Sequence, residues 1–197
     1  MINKMMRYME DEMNKALEVK RKSGERVRIS LKKLDLSYID QMIELQQVIV
    51  DGLEDPQIYV ASERDEFEAE LNNGGVVLGF VTEENQLIAM GIYVEKGYDK
   101  HNYAYDLEVE EEKVLKAGQI ECTIVSAEFR GNRLQQILCE ALEVISKANG
   151  MEIICATASP YNEFSVNTFK KLGYEVKKDK LKYGGLRRYV LVKDLNN

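Results

Sequence analysis

Residues 120–158 read IECTIVSAEFRGNRLQQILCEALEVISKANGMEIICATA, and their pattern decides the fold. Ile120 to Val125 is a short apolar run of strand length. After a glycine-bearing loop, Arg130-Gly131-Asn132-Arg133-Leu134-Gln135, the residues Leu134, Ile137, Leu138, Ala141, Leu142 and Ile145 recur at helical spacing, and Asn149-Gly150 ends the run. Ile153 to Ala158 is a second apolar strand. Strand, helix and strand in close succession form a crossover unit, which predicts two parallel strands in one sheet.

Working outward, Val76 to Val81 and Leu87 to Val94 flank a polar turn and predict an antiparallel hairpin, with Gly79 and Gly91 as candidate bulges. Ahead of it, Ser37 with Asp40 and Ser62 with Asp65 have the spacing of capping boxes. The first opens a helix through Gly52 with Tyr38, Met42, Leu45 and Ile49 as its buried stripe, and the second opens a shorter helix ended by Asn73-Gly74-Gly75. Val27 to Leu31 alternates as a strand does. On the far side, a helix after Ser159-Pro160 is closed by Gly173, and Val176 to Tyr183 pairs with Leu186 to Val192 across Gly184-Gly185.

The N-terminus is read differently. Ile2, Met6, Met9, Met13, Ala16 and Leu17 fall at helical spacing before Ser23-Gly24, so residues 1–24 are expected to be an amphipathic helical extension on a domain spanning 25–197. Its methionine stripe is expected to pack on the domain or on a second copy, a homodimer.

At 197 residues, 45% hydrophobic, the chain suits one globular domain. A net charge of −7 argues against nucleic acid or a membrane surface as partner and tolerates a cationic substrate such as an amine. Cys122, Cys139 and Cys155 sit in apolar runs without paired spacing, so reduced thiols and a cytoplasmic setting are expected, with no metal site. The sole histidine, His101, lies in a polar stretch and is expected at the surface.

Chemistry should gather at the 130–135 loop. It lies between a strand and a helix N-terminus, where unpaired N–H groups and the helix dipole favour a phosphate. It has neither the lysine and hydroxyl of a P-loop nor the glycine triplet of a dinucleotide fold. Strand, RGNRLQ loop and helix together resemble the acetyl-coenzyme A motif of the GNAT superfamily of N-acetyltransferases. Arg130, Gly131 and Leu134 match that motif, while Arg133 and Gln135 stand where the family has small residues. Downstream, Pro160-Tyr161-Asn162-Glu163-Phe164-Ser165 and then Phe169-Lys170-Lys171-Leu172-Gly173-Tyr174 resemble the family's second segment.

The resemblance implies an α/β fold with a mixed sheet, the GNAT-like acyl-CoA N-acyltransferase fold, carrying the N-terminal helix as an addition. It implies acetyl-CoA as cosubstrate, with pantetheine along Ile124, Val125 and Ser126 between splayed parallel strands. The loop from Arg130 through Gly131, Asn132, Arg133 and Leu134 to Gln135 would hold the pyrophosphate, and Asn162, Ser165 and Phe169 would line the second segment. Polarisation of the thioester falls to the Val125 N–H. Glu121 is the candidate base, since it shares a strand face with Thr123 and Val125. Many family members have a tyrosine where this chain has Phe169, which leaves Tyr161, Tyr174 or solvent as the acid. Transfer of acetyl to a primary amine is the function implied. A noncatalytic acyl-CoA-binding module and an interaction protein with a vestigial cleft are the alternatives.

Overall fold

A computed structural model describes residues 16–196. One eight-stranded sheet runs in the order β1-β2-β3-β4-β5-β6-β8-β7. Its strands are β1 (Ala16–Lys20), β2 (Arg26–Leu34), β3 (Val76–Thr82), β4 (Leu87–Val94), β5 (Ala117–Val125), β6 (Ile153–Ala158), β7 (Glu175–Lys182) and β8 (Leu186–Asp194). Among the described residues only the β5 and β6 pair is parallel, as the crossover unit requires.

Every residue of β4 is buried because helices cover both faces of the sheet. On one face α1 (Ile39–Asp51) and α2 (Arg64–Asn72) pack Met42, Leu45, Ile49 and Phe67 on Val77, Val81 and Met90. On the other, α3 (Leu134–Ala148) buries Leu134, Leu138, Cys139 and Leu142 against Leu78, Phe80 and Ile120. The helix α4 (Glu163–Lys171) adds Val166 and Phe169 to that second cluster. Each fully buried side chain of this size contributes roughly 1.5–3 kcal/mol.

The helix starts are set locally, and not by the pairs expected. Asp35 accepts the Ser37 N–H at 2.9 Å and caps a 3-10 turn that leads into α1, so Ser37 and Asp40 form no box. One position beyond Ser62, Glu63 and Glu66 close a reciprocal box at the head of α2. Of the two glycines expected at bulges, Gly91 lies at one, opposite β5, and Gly79 pairs regularly with Lys32 and Met90.

The N-terminal extension needs correction where it is described. Ala16–Lys20 is a strand of the main sheet, antiparallel to β2, and residues 1–15 lie outside the described residues. Leu17 and Val19 alternate inward as well as they fit a helix, and a five-residue stretch satisfies either period. Tertiary pairing decides: the Asn132 side chain accepts the Lys20 N–H at 3.0 Å and donates to the Lys20 carbonyl at 2.8 Å, while the Lys22 N–H reaches the Glu128 carbonyl at 2.8 Å. A boundary at residue 24 therefore cuts through a hairpin. Asn132→Ala is expected to lower stability by about 0.5–1.5 kcal/mol by removing side-chain hydrogen bonds to exposed strand-end groups that water can then reach. Thermal unfolding checks it, and an unchanged Tm would contradict the tie.

Candidate active site

Two breaks in the sheet make the site. Between β4 and β5 the pairs Met90 with Ile124 and Ile92 with Glu121 leave Cys122 and Thr123 facing the single residue Gly91. This is a β-bulge, and Cys122 takes a φ of 50°, unusual for a residue with a side chain. Between β5 and β6 the pairing covers only Ala117–Ile120 with Ile153–Ala156, although both strands continue beyond it. The strands therefore part into a V whose inner edges lack sheet partners.

Val125 lies on that open edge. The Ser126 N–H donates to the Ile88 carbonyl of β4 at 2.8 Å, so by strand alternation the Val125 N–H turns the other way, into the V. Ile124 is buried against the α1 and α2 face, whereas Val125 and Ser126 are half-buried.

Beyond β5 the loop delivers a helix start open to an anion. Gly131 has φ 94°, with open space where a Cβ would be, so the requirement for glycine comes from the backbone. Arg133, itself at φ 59°, is the N-cap of α3 and provides no side-chain cap. The Ile137 N–H is bonded to the Arg133 carbonyl at 3.0 Å, which leaves the amides of Leu134, Gln135 and Gln136 as the open donors of the first turn. No acidic residue sits in that turn, and both Arg130 and Arg133 are exposed, without ion pairs among the described residues. Leu134 is an anchor, 2% exposed in the core.

The remaining residues of the two segments face each other across the V. The Gln135 amide donates to Thr123 Oγ1 at 3.1 Å and to Ser165 Oγ at 3.0 Å, bridging β5 and α4. Asn162 Oδ1 accepts the Ser165 N–H at 3.1 Å and so caps α4. The side chain of Asn132 is committed to β1, as described above, which leaves only its backbone for a ligand.

A cavity of about 520 Å³ opens beside the bulge, between β5, β6, β8, the α1–α2 connection and the 3-10 turn Tyr103–Leu107. Glu121, Asn162, Ser165 and Phe169 line it, together with Glu66, Glu70, Lys96, Tyr59, Tyr103, Thr157, Tyr183 and Arg188. Burial pushes the Glu121 carboxyl above its usual range, Glu70 and Glu66 push the same way, and Lys96 and the hydrogen bond from Gln119 oppose them. Lys96 is itself paired with Glu70. The Tyr183 hydroxyl lies 2.8 Å from that of Tyr103 and 3.0 Å from Thr157 Oγ1. His101 is exposed at the rim, its Nδ1 2.9 Å from Asp99.

Neither tyrosine proposed as the acid lines this cavity. Tyr161 is 52% exposed, and Tyr174 is 2% exposed with its ring edge-on to Phe169, 5.0 Å between centroids. The Tyr174 hydroxyl is enclosed and makes no hydrogen bond of normal geometry, although the Glu143 carboxylate lies near it. Tyr174→Phe is accordingly expected to leave turnover within about twofold and stability unchanged or raised, since it removes an unsatisfied buried polar group. A large loss of turnover in the folded variant would return Tyr174 to the chemistry.

Sequence reasoning missed Lys96, Tyr103, Tyr183 and Arg188. For Arg188 a signal existed: it shares the inward phase of β8 with Val190, so alternation alone puts a charge on the buried face. The others come from loops and strand ends that no periodicity addresses.

A family model described as Acetyltransferase (GNAT) family matches residues 42–174. The chain belongs to the GNAT acetyltransferase family. The match runs from within α1 to Tyr174, just ahead of β7, and so takes in the V, the bulge and the loop. Among solved structures, this GNAT chain is similar to an N-acetyltransferase from Staphylococcus aureus, with TM-score 0.64 and 16% identity over 85% of this chain and 98% of that one. It is similar to YncA from Salmonella typhimurium, solved with its cofactor acetyl-CoA, with TM-score 0.64 and 15% identity over 86% of this chain and 95% of that one. Arabidopsis thaliana NAA60 in complex with acetyl-CoA gives TM-score 0.64 and 15% identity over 86% and 99% of the two chains. At such identities the likeness is one of fold. No curated protein matches the sequence.

Proposed function

We propose that the chain transfers the acetyl group of acetyl-CoA to a primary amine by direct attack on the thioester. The observation that carries this is the open V, which offers the unpaired Val125 N–H and an uncapped helix start to one extended ligand. A pantetheine arm suits the strand edge because its amides can complete the missing ladder. The amides of Leu134, Gln135 and Gln136, with Arg130 and Arg133, suit a pyrophosphate.

Each task in the transfer then has a group. The Val125 N–H donates to the thioester oxygen as it gains charge. Glu121 takes the amine proton, directly or through water, and its raised pKa brings it nearer to the range useful for a base at neutral pH. The amine nitrogen bonds to the acetyl carbon, the carbon–sulfur bond breaks, and the thiolate collects a proton. Tyr183, held protonated by burial and joined to Thr157 and Tyr103, is the hydroxyl in the cavity suited to supply it.

Calorimetric titration with acetyl-CoA, followed by thiol release against polyamines, amino acids, aminoglycosides and peptide N-termini, tests this. Saturable binding with turnover of at least one amine is expected. Saturable binding without turnover of any amine would instead mark an acyl-CoA-binding module, and no binding at millimolar ligand rejects both.

A further inference from the structure

The cavity is bipolar. At one end the carboxylates of Glu66 and Glu70 bear on that of Glu121, with Lys96 set among them and paired with Glu70. At the other end is Arg188 of β8, 3% exposed. Its Nη1 donates to the Arg187 carbonyl at 2.8 Å, and its Nη2 is enclosed with no hydrogen-bond partner among the described residues. No carboxylate lies within ion-pair distance of it among the described residues. Asp55 bears on it only at longer range and is engaged by the Gln57 N–H at 2.9 Å, and the Tyr183 ring centroid lies 5.8 Å from the guanidinium.

Such an arrangement is costly in isolation. Burial disfavours the charge on Arg188, yet a guanidinium does not shed its proton in a protein. An apolar residue in phase with Val190 would fill the same strand position without an unpaired buried ion. The planar fork of arginine matches an oxyanion held by two parallel hydrogen bonds.

We infer that Arg188 anchors an oxyanion carried by the acceptor, so the amine acetylated is one that also bears a carboxylate or a phosphate. The cationic amine lies at the Glu121 end, and the anion reaches β8. This rests on the acetyl transfer proposed above and names its substrate class. The phosphates of the coenzyme do not compete for this role, because their donors are at the head of α3, beyond β5, and β6 separates β5 from β8.

The test compares each amino acid with its own carboxamide, and phosphoethanolamine with ethanolamine, in thiol release by the full chain. The anionic member of at least one pair is expected to exceed its neutral partner about tenfold in kcat/KM, and the favoured pair identifies the oxyanion. Arg188→Met should bring that ratio close to one, with Arg188→Lys in between because it keeps charge without the fork. Neutral amines turned over as well as anionic ones by the wild type would overturn the anchor while leaving acetyl transfer standing. A fall in acetyl-CoA affinity of Arg188→Met without acceptor would overturn it too, by giving the guanidinium to the coenzyme. Binding is read separately as the rise in Tm with the same amino acids and phosphoethanolamine. A rise that Arg188→Met abolishes supports the anchor even if no amine is acetylated, and the absence of both a rise and a preference rejects it.

Discussion

Gly131→Pro lowers acetyl-CoA affinity tenfold or more, a loss of at least about 1.4 kcal/mol. Proline fixes φ near −65°, whereas Gly131 stands at 94°, so the turn cannot be kept as it is. The substitution also removes a loop N–H. What changes is the aim of the next residues: Arg133, which caps α3 in a left-handed conformation, and the open amides of Leu134, Gln135 and Gln136. Gly131→Ala makes the useful companion, since it keeps the N–H, meets no neighbouring atom within 4 Å and adds only backbone strain. Calorimetry on both should order the affinities wild type, alanine, proline. Equal affinities in folded variants would move the phosphate site away from this loop.

Glu121→Gln separates chemistry from stability. Removing a general base from a positioned amine is expected to lower kcat/KM about 100-fold and to abolish the acid limb of the pH profile. The same change should stabilise the protein at neutral pH. Because the carboxyl pKa is raised on folding, the folded state favours the protonated form: that stabilisation is fully present below the ordinary carboxylate range of about 4.5 and is lost as pH rises through the raised value. Glutamine carries no such penalty, so its advantage in Tm should appear with rising pH. Thermal unfolding at acid and at mildly alkaline pH measures it. If activity falls while Tm also falls at every pH, Glu121 is a structural strut and the base lies elsewhere.

The crossover unit was legible because Leu134–Ile145 holds the helical period long enough to exclude a strand, while Ile120–Val125 and Ile153–Ala158 are apolar runs of strand length on either side of it. The parallel pairing then followed from chain geometry. Ala16–Lys20 was not legible, because five residues satisfy both periods and only pairing with β2 and the grip of Asn132 choose the strand. Asp35 and Glu63 show the same limit at helix starts, where serines at the expected spacing were passed over for neighbouring carboxylates with better geometry.

For the site, sequence by itself determined which residues lie near the loop and which stand in the second segment, because Arg130 to Gln135 and Asn162 to Phe169 are bound by chain connectivity to the ends of β5 and β6. It also placed Glu121 on β5. What only the tertiary structure decided is which groups share a cavity. The V exists because β5 and β6 stop pairing after Ile120 and Ala156, and the bulge at Cys122 and Thr123 turns the strand there. Alternation with Val190 puts Arg188 on the buried face of β8, but only the packing of elements remote in the chain opens that face onto the cavity, and it is packing on Phe169 that takes Tyr174, just ahead of β7, into the core.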